Sequence, residues 1–247
     1  MLYLEGKNVV LEALRSGRSL VEIVLYDGVK KDPKMGEILK LARKARTRVR
    51  RMGRKDILKM SKTGVPQGVI AVAWEEGPAS LQEILTLCRE QMRDPFILVI
   101  TDVQSEQNLG AILRSAEGAG VDAVVLPPKS KGITAVVART SMGASEYVPV
   151  VSESLFSALR RLRDEGFLIV GADASATKNY FEIALTGPVA LIIGGEDRGL
   201  SDPVKADCEV LARIPLQGKL NSLNMSVSAG VVMFERVRQL TTGKKEA

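Results

Sequence analysis

From residue 95 onward the chain alternates short apolar runs with turns of small or polar residues and segments of helical spacing. The runs fall at 96–103, 123–126, 146–150, 167–172, 188–193 and 210–214. They are apolar almost throughout, the pattern of strands buried on both faces rather than on one. Helices fit between several of them, at 110–119, 155–165 and from about 224 to 240. This combination predicts an α/β domain built on a parallel sheet, and such domains place ligand sites at the carboxyl ends of their strands. The last helix carries Val227, Val231, Phe234, Val237 and Leu240 along one side, a stripe suited to core or interface.

The first 75 residues read differently. Helix is predicted at 8–14, 34–45 and 55–60, and strand at 20–26, 47–52 and 69–74, making a small α/β domain. Residues 76–94 are expected to link it to a second domain over 95–247, with Ser80 and Glu83 spaced as a capping box for a helix within the linker. Charge divides along the same line. Residues 1–73 hold 17 Lys or Arg against 7 Asp or Glu, so that part is strongly basic while the rest of the chain, net charge +6 overall, is mildly acidic. Between Lys40 and Lys62 there are eleven basic residues and one acid, Asp56. A basic module joined to an acidic one suggests a polyanion partner for the first and separate work for the second. A solvated basic face is the alternative reading of charge alone.

Absences narrow the chemistry. The chain has no histidine, which removes Ser-His-Asp and Cys-His catalysis and a histidine general base. Cys88 and Cys208 have no metal-ligand spacing, so no metal is expected, and a reduced cytoplasmic protein is the simplest reading. No apolar run approaches the roughly 20 residues of a membrane helix, so no membrane partner is expected. A dinucleotide fold would need G-x-G-x-x-G after its first strand, where this chain has Ser105-Glu106-Gln107-Asn108-Leu109-Gly110.

Three stretches at predicted strand ends share a vocabulary of small residues, amides and charges. In Asn108-Leu109-Gly110-Ala111-Ile112-Leu113-Arg114, Asn108 is placed to cap a helix, and Arg114 stands alone among small and apolar neighbours. Arg114 reads either as a snorkelling surface arginine or as a guanidinium fork for phosphate or ribose oxygens. Gly194-Gly195-Glu196-Asp197-Arg198-Gly199-Leu200 gives a sharp strand exit whose backbone can touch a ligand, or an ordinary turn with a local ion pair. Ile214-Pro215-Leu216-Gln217-Gly218 leads into Ser222-Leu223-Asn224-Met225-Ser226, where a hydroxyl and an amide stand at a loop-to-helix junction.

The order and spacing of these stretches resemble the three motifs of the SpoU (TrmH) family of RNA ribose 2′-O-methyltransferases. The resemblance implies a SPOUT-type parallel sheet with a C-terminal trefoil knot over residues 95–247, and a small L30e-like RNA-binding domain over residues 1–75. It places Asn108, Arg114, Glu196, Ser222 and Asn224 at catalytic or near-catalytic positions. It places Gly194, Ile214 and Leu223 where backbones line an S-adenosylmethionine pocket. One departure stands out: related N-terminal domains often carry His-Gln-Gly where this chain has Pro66-Gln67-Gly68.

The implied reaction moves a methyl group from S-adenosylmethionine to a ribose 2′-hydroxyl. The implied substrate is ribosomal RNA, with a guanosine of the large subunit the leading target. A tRNA or antibiotic-resistance methyltransferase and a non-catalytic ribosome-assembly factor are the rivals. The family assigns proton acceptance to the arginine at position 114; because a guanidinium stays protonated, phosphate binding and polarisation of the hydroxyl suit it better. The resemblance also implies a homodimer with active sites near the subunit interface.

Overall fold

The computed structural model describes residues 1–30, 32–77, 79–195 and 198–243. Its contacts fall into two compact units: Met1–Gly77 together with Ile133–Tyr147, and the remaining described residues.

The first unit is built on a four-stranded sheet ordered β1-β4-β2-β3. Its strands are β1 (Leu2–Glu5), β2 (Leu20–Tyr26), β3 (Arg48–Met52) and β4 (Val69–Ala73). β4 runs antiparallel to both β1 and β2, whereas β3 adds to β2 in parallel. β1 is an addition to the sequence expectation; Leu2-Tyr3-Leu4-Glu5 takes its strand identity from pairing with β4. Helices α1 (Lys7–Arg15) and α2 (Pro33–Lys44) bury one sheet face through Val10, Leu14, Met35 and Ile38 against Leu4, Ile23 and Leu25. α2 starts as its sequence asks, with the Asp32 carboxylate accepting from the Met35 amide and Pro33 in the first turn. The short α3 (Arg54–Met60) partly covers the other face, where Ile57 meets Val24 and Ile70.

Buried Glu5 organises the loop after α3. Its carboxylate accepts from the Ser61 and Thr63 hydroxyls, both at 2.6 Å, and from the Lys62 and Thr63 amides. That many donors satisfy a charge that would otherwise be costly to bury. The Gln67 side chain turns back toward Gly6, and both Gln67 and Gly68 have positive φ, so the Pro66-Gln67-Gly68 turn is tightly determined.

The second unit holds a seven-stranded sheet ordered β7-β6-β5-β10-β8-β11-β9, parallel at every pairing. The strands are β5 (Phe96–Ile100), β6 (Ala123–Leu126), β7 (Val150–Ser152), β8 (Leu168–Ala172), β9 (Lys178–Asn179), β10 (Val189–Ile193) and β11 (Val210–Arg213). β10 and β11 each enter between strands that precede them in sequence. Every residue of β5, β6 and β10 is buried, as their unbroken apolar composition predicts. The strand expected at 146–150 lies later: Ala144–Glu146 forms a 3-10 turn, Pro149 offers no amide to a ladder, and pairing starts at Val150.

Helices α4 (Leu81–Glu90), α5 (Glu106–Gly118), α7 (Leu155–Asp164), α8 (Asp202–Asp207) and α9 (Met225–Gly243) belong to this unit. The stretch expected as a linker is packed from Ala79 onward: the Ala79 amide donates to the Val150 carbonyl, and Leu81 and Leu85 join the core. α6 (Ala135–Thr140), the 3-10 turn and their connections lie within the first unit, although the sequence places them inside the second domain. Ser80 caps α4 by accepting from the Glu83 amide. α9 is anchored past its midpoint by buried Arg236, whose guanidinium donates to the Leu185, Gly187 and Asp94 carbonyls over the Phe96 ring. Burial pulls that guanidinium below its ordinary pKa.

Candidate active site

The carboxyl ends of β8, β10 and β11 converge on a cavity of about 500 Å³, in the range of small-molecule sites. Its wall includes Asp173 after β8, Gly194 and Gly195 after β10, Ile214 after β11, and Ser222, Leu223 and Asn224 ahead of α9. All three positions expected to line a cofactor pocket, Gly194, Ile214 and Leu223, are therefore on one wall, with Ser222 and Asn224 beside them.

Gly194 has a steric reason to be glycine. A Cβ there would lie 2.2 Å from the Gly199 carbonyl carbon and 2.6 Å from both the Gly199 oxygen and the Leu200 nitrogen. The turn beyond it is closed by the Gly199 amide donating to the Gly195 carbonyl at 3.0 Å, in an isolated bridge between the two residues. Gly199 itself has a φ of 60°, where a side chain would be strained. Glu196 lies outside the described residues.

Asn224 ties the third stretch to the first. Its amide nitrogen donates to Asn108 Oδ1 at 3.2 Å, while its Oδ1 accepts from the Ser226 amide at 2.9 Å and the Ser226 hydroxyl at 2.6 Å. It thus caps α9 with one end of the side chain and reaches α5 with the other. Asn108 is not the cap of α5 that sequence reading expects. Ser105 takes that place, its hydroxyl accepting from the Asn108 amide at 3.3 Å, which moves Asn108 into the first turn. Ser105, three residues earlier and in extended geometry, caps the helix.

Arg114 is exposed on α5 and is not part of the cavity wall. It lies six positions after Asn108, so at 100° per residue the two point in different directions around the helix. It shares a face with Gly118, one turn on, and a Cβ at Gly118 would sit 3.5 Å from the exposed ring of Phe234 on α9. The α9 stripe read from sequence is accordingly not core. Val227, Phe234 and Leu240 are 50%, 48% and 39% exposed, while Met225, Ala229, Val232 and Met233 face inward.

Sequence reading missed Asp173 and Lys205, which also line the cavity. Lys205 Nζ lies 2.7 Å from Asp173 Oδ2, and the Ser175 amide donates to Asp173 Oδ1 at 2.8 Å. Burial raises the Asp173 pKa, but hydrogen bonds from Lys205 and Ser175 outweigh it and hold the carboxyl below its ordinary value. Asp173 follows the end of β8, so the rule that ligands gather at carboxyl ends was the available signal; Lys205, 32 residues away, had none. Cys208 is half-buried, and burial pushes its thiol up to about 11. Among the described residues no helix is long and apolar enough to cross a membrane.

Two family models match this architecture. Residues 95–234 match the SpoU rRNA Methylase family, and residues 3–79 match the family of RNA 2′-O ribose methyltransferase substrate-binding domains. Among curated relatives, the 23S rRNA (guanosine-2′-O-)-methyltransferase RlmB of Xylella fastidiosa is 37% identical, covering 97% of each chain. A protein of the same name from Burkholderia is 36% identical, covering 96% of each. Among solved structures, the SpoU methyltransferase AviRb of Streptomyces viridochromogenes superposes with a TM-score of 0.82 at 25% identity, covering 98% of this chain and 90% of that one. The complex of AviRb with AdoMet has the same fold, with a TM-score of 0.81 at 24% identity, covering 97% and 90%. A cavity at three parallel strand ends, closed by the Gly194 turn and the Asn224 junction, sits within the matched methylase region, and on these grounds the chain belongs to the SpoU rRNA methylase family.

Proposed function

We propose that this protein methylates the 2′-hydroxyl of a guanosine ribose in large-subunit ribosomal RNA, with S-adenosylmethionine as methyl donor. The observation that carries the reading is the convergence of Gly194, Ile214, Ser222, Leu223 and Asn224 on one cavity, with Asn224 bonded to Asn108. The cavity suits the donor: it is large enough, apolar at Ile193, Ile214 and Leu223, and polar at Ser175, Ser222 and Ser228. Its glycine wall lets backbone approach a ligand closely. Gly194, Ile214 and Leu223 would hold the donor. When bound, S-adenosylmethionine supplies an electrophilic methyl carbon on a sulfonium.

The chain's own residues must align the ribose hydroxyl with that carbon and order the nucleotide. Asn108 and Ser222 orient the ribose. Asn224 holds Asn108 in place, and Glu196 contacts the nucleotide or orders the pocket. Arg114 binds the adjacent phosphate and polarises the hydroxyl through its planar fork. The basic first unit engages the RNA, ten of the eleven cationic side chains between Lys40 and Lys62 being exposed.

The working form is a homodimer. The exposed apolar stripe of α9 supports this, and it lies beside Arg114 through Gly118 and Phe234. Arg114 then acts at the interface rather than from this chain's cavity wall. The same reading threads the chain beyond β10 as a trefoil knot, in keeping with the late entry of β10 and β11 between earlier strands. It also places the protein in the cytoplasm, where its two free thiols stay reduced.

The test is incubation with tritiated S-adenosylmethionine and unmodified large-subunit RNA, mapping label by primer extension sensitive to 2′-O-methylation. Label at one guanosine, absent with Arg114→Ala and much reduced with Arg114→Lys, is expected. Bound donor with label only on tRNA would reassign the substrate. Failure to bind the donor at all would return the protein to the class of assembly factors.

A further inference from the structure

The chain's single tryptophan stands at the open end of the first unit's sheet. Across that sheet, Tyr3, Val72, Glu22 and Arg48 form one row, a residue from each strand. The next row, Glu5, Ile70, Val24 and Arg50, is where Ile57 of α3 packs, so α3 covers that part of the face and leaves the first row at its margin. Trp74 follows β4 directly, two residues beyond Val72 at the same end of the sheet. The residue is 64% exposed.

Its backbone is fixed nonetheless. Arg18 donates to the Trp74 carbonyl at 3.0 Å, and Arg18 is itself largely shielded and paired with Glu146 at 3.1 Å. A large ring is thus presented to solvent from a rigid anchor. A cation stands at each end of the first row. Lys62 Nζ sits 5.1 Å from the Tyr3 ring centroid, held there by the Glu5-bound loop, and Arg48 lies exposed at the edge strand. From β1 to β3 the row spans about 14 Å at ~4.8 Å per strand.

Most cations of the basic stretch from Lys40 to Lys62 are unneutralised. Among the described residues, Lys40, Arg43, Lys44, Arg46, Arg48, Arg51 and their neighbours to Lys62 make no ion pair; Arg50, bound to Glu22, is the exception. Elsewhere Arg15, Arg89, Arg93, Arg163 and Arg238 are each paired with a carboxylate. Cations left without internal partners in the same unit as an exposed indole match a strand of RNA, with phosphates for the charges and an unstacked base for the ring.

We propose that this end of the sheet binds single-stranded RNA, stacking an unpaired base on Trp74 while Lys62 and Arg48 take flanking phosphates. The proposal rests on the RNA-substrate reading and adds to it a preference for looped or unpaired nucleotides, because a base face inside a duplex is unavailable to an indole.

One tryptophan makes the test direct. The full-length protein is titrated with a single-stranded RNA dodecamer and, separately, with the same sequence as a duplex, following intrinsic emission and the anisotropy of end-labelled RNA. The single strand should quench emission and the duplex should not. Trp74→Ala should weaken single-strand binding about 5- to 100-fold, and Trp74→Phe should stay within a few-fold of the parent. Lys62→Ala should lower the salt slope by about one. Single-strand binding with unchanged emission and unchanged affinity in Trp74→Ala would overturn this assignment and leave the RNA reading standing. No binding of either RNA would overturn both. Emission that shifts with protein concentration alone would overturn it in favour of a protein contact.

Discussion

Gly194→Ala tests whether the cavity depends on the close passage of two backbone segments. The new methyl would sit 2.2 Å from the Gly199 carbonyl carbon, against an ordinary contact of at least 3.4 Å, so the Gly199 segment must retreat by about 1.2 Å. The obstructing atoms are backbone on both sides, and no rotamer can relieve them. Overpacking of this kind costs about 1–3 kcal/mol. Losing the 3.0 Å bond from the Gly199 amide to the Gly195 carbonyl adds about 1 kcal/mol. A total near 3 kcal/mol lowers Tm by roughly 6–12 °C in a chain of this size. Melting curves with and without S-adenosylhomocysteine then separate stability from binding. At 100 times Kd the ligand should stabilise the parent by about 2.7 kcal/mol and the variant hardly at all. Gly36→Ala is the control: it lies in α2 with nothing within 4 Å of the added carbon, and it should stabilise by about 0.5–1 kcal/mol. A Gly194→Ala protein that melts with the parent and keeps its ligand shift would refute the close-passage argument.

Asn224→Ala removes the α9 cap and the bond to Asn108 together, and should cost about 1–2 kcal/mol. Asn224→Asp keeps the cap acceptor but loses the donor, so it should melt close to the parent while methylation falls; equal melting of the two variants would remove the cap from the account. Asp173, held below its ordinary pKa, contributes stability that is present above the unfolded value of about 3.9 and lost as pH falls through the lower folded value. Acid titration of unfolding should therefore show extra loss below about pH 4, and Lys205→Met should flatten it; identical profiles would show the pair to be inert. The Cys208 thiol, pushed up to about 11 by burial, should react with Ellman's reagent at pH 8 only on unfolding, and rapid labelling of native protein would contradict that burial.

The parallel sheet was legible because its strands have no solvent face. Uninterrupted apolar runs at β5, β6 and β10 can hardly be anything else in a chain with helices between them. Legibility failed where the deciding contact is distant or the signal short. β1 has four residues and takes its identity from pairing with β4. α6 is a single turn and a half of β-branched and small residues, its only mark the Thr134 cap to the Val137 amide. At the site, the three stretches are visible locally, but their meeting depends on strand order. Nothing near Lys205 announces that it reaches Asp173, and nothing near Arg114 says that it lies outside the cavity wall.

The assignment of Ile133–Tyr147 to the first unit bears on how relatives of this protein could exchange parts. The chain leaves the first unit after residue 77, returns at 133 and departs again at 147. A chimera joined at one point near residue 77 would bring a foreign partner to a segment fitted to this one. Glu146, 2% exposed, would face its counterpart without Arg18, and a buried carboxylate stripped of its cation costs about 3–5 kcal/mol. Tyr147 would lose Glu12, and Gly143 would lose the Glu12 side chain it lies against. Substrate-binding and methylase halves are thus not freely interchangeable cassettes: a viable graft must carry both inherited pieces, and selection on the crossover between β6 and β7 must follow the first unit's sequence.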